Sequence, residues 1–330
     1  DDVESRGLGD VYKRQTLDYF YDFRYDQLVE RSDVSLVFGL GSARKNIGET
    51  SNQGFDGQIG YTDKFGDFNF NTNLVFSYAK NKVKYKAEAQ QRYPWLAETG
   101  KPIGQPFGYT WLGYYTQQDI DEINAGNPNK IPVPSVPVSA GDLKYMDLNG
   151  DGAIDDFDKS AIGKPNLPTT TLGFTIGGSY KGFSLSLLFQ GSFDYSFSVV
   201  GTGIESFKSQ FQPIHLKRWT QERYDNGEVI DFPRLTTNPS TVSSSEAYMS
   251  NFWLVNAWYI RLKTIDLGYE LPKSVLPKGI YSTRFYMNAY NLFTKTSYDK
   301  YQQDPEIKTN SAGDAYMNQR VVNFGVQMSF

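Results

Sequence analysis

The sequence predicts an all-β protein, with about eight antiparallel strands that form part of the wall of a transmembrane β-barrel and carry long extracellular loops. Three observations predict it. Large apolar and small polar residues alternate in the stretches that read as strands, in the clearest of them for fifteen residues. Strands in soluble sheets usually run about five or six residues, whereas about 9 to 11 are needed to cross a bilayer with lipid on one side and a wet lumen on the other. Aromatic residues make up 16% of the chain, as 24 Tyr, 23 Phe and 5 Trp, and barrels gather such amphipathic rings at the membrane interface. Finally, the connections between strands alternate short and long.

The remaining composition is compatible with this. No run of eighteen apolar residues exists, so no transmembrane helix is predicted. The mean hydropathy of -0.51 does not count against a barrel, because lumen residues dilute the lipid-facing ones. The absence of cysteine excludes disulfides and thiolate metal sites. A net charge of -4 gives no footprint for nucleic acid.

Residues 1–15, ending Lys13-Arg14-Gln15, lack a periodic pattern and resemble a translated sequencing-adaptor tail, so they are expected to lie outside the fold. From Thr16 the pattern starts at once, with Tyr19, Tyr21, Phe23 and Tyr25 on one face and Asp18, Asp22, Arg24 and Asp26 on the other. Four charges on one strand face are costly in a dry core and ordinary in a wet lumen. A Gly/Ser loop around Gly39 to Lys45 precedes a second strand from about Glu49 to Thr62. After a short turn at 63–67, Phe68, Phe70, Leu74, Phe76 and Tyr78 alternate with Asn69, Asn71, Asn73 and Ser77. Asparagine is depleted in ordinary strands, so these three in register suggest a hydrated surface able to hydrogen-bond a polar solute.

The pattern then disappears across a long proline-rich stretch, about 82–168, expected to be an extracellular loop. Inside it, residues Asp147 to Asp158 have the spacing of a calcium loop. Oxygen side chains stand at positions 1, 3, 5, 9 and 12 (Asp147, Asn149, Asp151, Asp155, Asp158), with Gly152 at position 6 and the carbonyl of Ala153 at position 7. Asp158 replaces the usual Glu, and no flanking amphipathic helices are evident. A structural Ca2+ pinning the loop is expected; an acidic cluster of Asx turns without an ion is the alternative.

The clearest hairpin spans Thr171 to Phe197. Its first arm sets Leu172, Phe174, Ile176 and Tyr180 against Thr171, Thr175 and Ser179. After a turn at Lys181-Gly182, its second arm sets Phe183, Leu185, Leu187, Phe189, Phe193, Tyr195 and Phe197 against Ser184, Ser186, Gln190, Ser192, Asp194 and Ser196. Asn69, Asn71, Asn73, Ser184, Ser186, Gln190 and Asp194 are therefore candidates for lining the solute path. A second polar stretch, Val199 to Asn251, holds the lone His215, read as an ordinary loop residue; Trp219, Tyr224 and Trp253 suit either sugar stacking or loop packing.

Between Leu254 and Leu271, Trp258, Ile260 and Leu262 share one face while Ile265, Leu267 and Tyr269 share the other, which predicts a bulge near Lys263-Thr264. Further strands are expected over Thr283 to Phe293 and, at the end, through Val322, Phe324, Val326, Met328 and Phe330. With connections at about 63–67, 181–182 and 272–281 short and those at about 33–48, 82–168, 198–252 and 295–316 long, all short turns fall on one side, as in a barrel wall.

Several runs resemble one family closely: Gly141-Asp142-Leu143-Lys144-Tyr145, the Asp/Asn loop to Asp158, Ile162-Gly163-Lys164-Pro165-Asn166, Ser179-Tyr180-Lys181-Gly182-Phe183, Phe189-Gln190-Gly191, Tyr259-Ile260-Arg261-Leu262-Lys263, Leu267-Gly268-Tyr269-Glu270-Leu271-Pro272, Asn291-Leu292-Phe293 and the terminal Phe330. In this order they are similar to the SusC/RagA-type TonB-linked outer-membrane transporters (starch-utilisation type) of Bacteroidetes. The resemblance covers about Leu17 to Phe330 and implies the carboxy-terminal part of a barrel of about 22 strands. It also implies TonB-driven import of oligosaccharide or peptide through an amino-terminal plug outside this chain, a SusD-like surface lipoprotein as lid, and residence in the outer membrane of a Gram-negative, Bacteroidetes-like cell. No enzymatic activity is expected, because the acidic residues have calcium-loop spacing rather than that of an acid/base pair. The alternative is a soluble calcium-dependent carbohydrate-binding β-sandwich module.

Overall fold

A computed structural model describes residues 12–33, 44–127, 129–205, 211–237, 242–307 and 315–330. Eight long strands form one antiparallel sheet in strict sequence order. They are β1 (Tyr12–Glu30), β2 (Arg44–Phe65), β3 (Phe68–Tyr85), β4 (Thr170–Tyr180), β5 (Phe183–Ser198), β6 (Leu254–Glu270), β7 (Ser282–Thr296) and β8 (Val321–Ser329). The expected alternation of connections is present. Short ones join β2–β3, β4–β5 and β6–β7, and long ones join the other pairs. At the tightest, Lys181 and Gly182 both have positive φ (45° and 89°), as a two-residue hairpin turn twisted like its flanking strands requires.

The boundaries differ from expectation in three places. Residues Tyr12–Gln15, assigned to the tail, pair with Ile59–Thr62 and belong to β1; residues 1–11 lie outside the described residues. The second strand is longer than Glu49 to Thr62 at both ends, while most of the expected Gly39 to Lys45 loop, up to residue 43, lies outside the described residues. The stretch 82–168 is not structureless: β3 continues to Tyr85, and short strand pairs and a helix, α1 (Gln117–Asn124), follow. Thr116 and Asp119 cap α1 reciprocally.

Residues directly opposite one another in antiparallel pairs share a face, so the register sorts the wall into two surfaces. On the outer surface one row reads Phe65, Phe68, Tyr180, Phe183, Tyr269, Phe285, Val326 across β2 to β8. A second row reads Tyr19, Phe55, Tyr78, Thr170, Phe193, with Trp258 stacked on Phe193. The rows lie ten positions apart along β2, β3 and β5. Ten residues rise about 34 Å, and a barrel tilt reduces this to about 24–28 Å. That is the height of the lipid-facing band of a barrel wall, with aromatic girdles at both edges.

Between the girdles the outer surface is predominantly apolar and uncovered, with Lys13 and Gln15 on β1 as polar exceptions; Leu185, Leu267, Phe293 and Phe324 are all exposed. A soluble sandwich would bury that face under a second sheet. Here the buried core lies elsewhere, above one end of the wall, where Tyr109, Leu143, Tyr145, Phe232, Val242, Tyr248 and Trp253 from the long loops meet Tyr195, Ala257 and Tyr298.

Two bulges set the phase. The one expected near Lys263-Thr264 is present: register shifts between Leu262 and Thr264, so that Trp258, Ile260, Leu262, Ile265, Leu267 and Tyr269 all reach the outer surface. A second, at Asp194 (φ 63°), falls where register shifts between Ser192 and Tyr195. It corrects the reading of the hairpin's second arm. Phe193 stays outside, whereas Tyr195 and Phe197 turn inward onto Tyr298, with ring centroids of Phe197 and Tyr298 4.3 Å apart.

Candidate functional site

The inner surface of the wall is predominantly polar, and cross-strand pairing gathers its polar residues into rows. Asn69, Ser179 and Ser184 stand abreast, and the Asn69 amide donates to Ser179 Oγ at 3.1 Å. One step up, Asn71, Gly177, Ser186 and Asp266 form the next row. A Cβ at Gly177 would lie 2.8 Å from Asn71 Oδ1, so a larger residue there would push the Asn71 amide aside. Asn73 accepts from Gln58 Nε2 at 2.8 Å; its own row carries Leu188 and the next carries Val75, apolar exceptions on this face. Gln190 lies opposite Arg261 and donates to the Tyr259 hydroxyl at 3.3 Å.

Six of the seven proposed path residues therefore share this surface. Asp194 does not: the bulge places its carboxylate at the outer rim, where it accepts from Lys164 Nζ and Thr169 Oγ1.

The sequence reading missed the charges that complete this surface. Arg284 pairs with Asp266 at 2.5 Å, its guanidinium lying over Gly268 beside Ser184. Higher up, Arg261 is buried and holds three partners: Thr294 Oγ1 at 2.9 Å, Glu306 at 2.5 Å and Asp304 at 2.8 Å. Lys263 joins Glu306 at 2.6 Å. Asp304 and Glu306 belong to the β7–β8 connection, so this network ties a loop to the inner wall. Arg261 alternates with Ile260 and Leu262, which was the available signal.

The Asp147–Asp158 segment curls as its spacing predicts, but its carboxylates serve the loop's own backbone. Asp147 accepts from the N–H of Gly150 at 2.6 Å and of Gly152 at 2.8 Å. Asn149 accepts from Asp151 N, Asp151 from Ala153 N and Asp155 from Phe157 N. Asp158 is buried and accepts from Leu148 N at 2.8 Å and Asp155 N at 2.9 Å. Burial pushes the Asp158 carboxyl up, these N–H groups pull it back, and the neighbouring Asp147 charge raises it further. Among the described residues no group of three or more acidic or histidine side chains converges on one point as a metal site would require.

The surrounding loops are fastened by packing and buried ion pairs rather than by a reactive centre. Asp142 is buried with Arg234 across both its oxygens, at 2.7 and 3.2 Å, and accepts from Ser139 N and Ser243 Oγ. His215 is buried, its Nδ1 accepting from Gln212 N and its Nε2 lying 2.8 Å from the Ile204 carbonyl, a structural role. Trp219 and Trp253 are inside the loop core, which decides for packing at those two; Tyr224 is exposed.

No family model matches the chain. It is 26% identical to TonB-dependent receptor P3 of Formosa agariphila over 94% of its length, which is 32% of that protein. It is 25% identical to TonB-dependent receptor SusC of Bacteroides thetaiotaomicron over 66% of its length, or 22% of SusC. Its fold is that of one third of the chain matched in a RagAB peptide transporter structure, with a TM-score of 0.66, 22% identity and 96% of this chain covered. The chain thus spans about a third of the length of the first of these relatives. These relatives bear out the resemblance to the SusC/RagA type over nearly the whole chain, and they are receptors and transporters rather than enzymes.

Proposed function

We propose, from the likeness to TonB-dependent receptors of the SusC/RagA type, that this chain forms part of the wall and extracellular loops of an outer-membrane importer of oligosaccharide or peptide nutrients. In this reading TonB drives transport through a plug outside these residues, and a SusD-like lipoprotein covers the loops. The supporting observation is the two-sided wall: an apolar surface bounded by two aromatic girdles, backed by rows of Asn, Ser, Gln and paired charges. A polar solute that leaves water needs such replacement hydrogen bonds. Carbonate washing tests the wall directly. The protein is expected to stay in the outer-membrane pellet, and its release would return the soluble carbohydrate-binding module. Uptake of labelled oligosaccharides against labelled peptides by cells with and without the protein then separates the two solute classes.

Calcium at Asp147–Asp158 belongs to the same proposal. Each carboxylate oxygen that accepts one N–H keeps a second lone pair, and a divalent cation would relieve the repulsion among these clustered acids. Protease resistance around residues 140–165 is expected to rise in calcium and to lose that rise on combined Asp147→Ala and Asp151→Ala. Equal resistance in calcium and in chelator would leave the Asx turns as the sole fastening.

A further inference from the structure

On β3, the phase that lays Phe68, Phe70, Leu74, Phe76 and Tyr78 on the outer surface continues unbroken to Lys80 and Lys82. Lys80 stands opposite Gln53, which is opposite Tyr21; Lys82 stands opposite Ser51, which is opposite Phe23. Both lysines are exposed, as are Tyr21 and Phe23 beside them. The register shift between Glu49 and Thr50 follows, and the exposed Lys84 sits there. Two and four residues beyond Tyr78 correspond to about 5 and about 10 Å above the girdle once strand tilt is included. That is the depth of lipid headgroups on the side away from the short turns, the outer leaflet.

The charge at this place is unbalanced. Among the described residues Lys80, Lys82 and Lys84 have no carboxylate within ion-pair distance. Asp194 is bonded to Lys164 and Thr169, and the Thr169 carbonyl in turn accepts from the N–H of Ala79 beside Lys80. Lys86 is already paired with Glu98. Lys80, Lys82 and Lys84 thus stand without a carboxylate partner, and Lys164 with one, where the strand phase continues the lipid-facing band. Lysine stems lie along apolar surface while their heads reach outward, and a lysine is a compact point charge suited to phosphate.

We propose that Lys80 and Lys82, flanked by Lys84 and Lys164, form a docking site for the phosphate-bearing headgroup of an outer-leaflet glycolipid, whose acyl chains lie on the apolar band below. The outward direction and the continuity with that band favour a lipid over a dissolved anion. The site rests on the membrane-wall reading, and the two can fail separately: release by carbonate washing removes the wall, whereas a protein that stays in the membrane and ignores the lipid removes only the site.

The test uses the protein purified from its outer membrane into phosphatidylcholine nanodiscs doped with monophosphorylated lipid A, with bound lipid A read by native mass spectrometry. Juxtamembrane lysines contribute enough each that Lys80→Gln with Lys82→Gln is expected to weaken retention about thirtyfold. Lys13→Gln, on the outer phase at the opposite end of β1, is expected to change nothing. Lys80→Arg with Lys82→Arg is expected to keep binding, which separates loss of charge from loss of fold. Retention by the unmutated protein should fall as salt rises. Equal retention by the glutamine variant, equal retention of dephosphorylated lipid A, or displacement by inorganic phosphate at concentrations matching the lipid would each overturn the proposal.

Discussion

Leu187→Arg is expected to destabilise the wall in a bilayer by about 2–4 kcal/mol, while Ser186→Arg, one residue away, costs little. Leu187 lies opposite Ile176 and Ile265, roughly midway between the girdle residues Phe183 and Phe193. A guanidinium there has no partner and must thin the bilayer or drag water to itself. Ser186 lies opposite Gly177 and Asp266, so an arginine at 186 has room beside the glycine, an acidic neighbour and access to water. Equilibrium unfolding in phospholipid vesicles measures both. The contrast, rather than either value, is diagnostic, since a buried soluble core on the Leu187 side would penalise the arginine even in detergent-free buffer without lipid. Equal costs at 186 and 187 would mean that the two faces meet similar surroundings, and the membrane wall would have to be abandoned.

What could be read in advance depended on whether the chain's own chemistry changed where its geometry changed. At Lys263 apolar residues switch phase across the bulge, so the extra residue was visible in the pattern. At Asp194 they do not. Phe193, Tyr195 and Phe197 keep an unbroken alternation although the backbone inserts a residue between the first and second. An aromatic ring suits a lipid girdle as well as it suits a buried loop core, so the same residue types hide the turn inward. The asparagine and serine rows were legible because those residues have little reason to sit in an apolar strand. Their charged neighbours Arg261, Asp266 and Arg284 were not picked out, because partners 18 to 45 residues away along the chain become neighbours only through register and loop return. The calcium-like spacing was legible as a tight acidic loop; which way its oxygens point was not, since Asx turns and ion binding call for similar residues at similar intervals.

Arg261→Met is expected to cost about 3–5 kcal/mol locally, because it leaves Asp304 and Glu306 facing one another beside the wall without their main counter-charge. Arg261 is only 2% exposed, and the two carboxylates are 10% and 16% exposed, so water cannot fully replace the guanidinium. Lys263 remains on Glu306, yet nothing else charged holds Asp304 among the described contacts. The β7–β8 connection should therefore detach from the inner wall while the strands stay paired. Hydrogen exchange and limited proteolysis within residues 297–307 are expected to rise sharply, with the aromatic contact between Phe197 and Tyr298 loosening next. The control is to remove the charges together. Arg261→Met with Asp304→Leu and Glu306→Leu takes away the desolvated ions as well as their pairing, and such replacements are often neutral. If the single change releases the loop and the triple change does not, the arginine acts by neutralising a buried acidic pair. If both release it, the connection depends on the hydrogen-bond geometry at Thr294 and Tyr259; if neither does, the network decorates a loop already held by its packing.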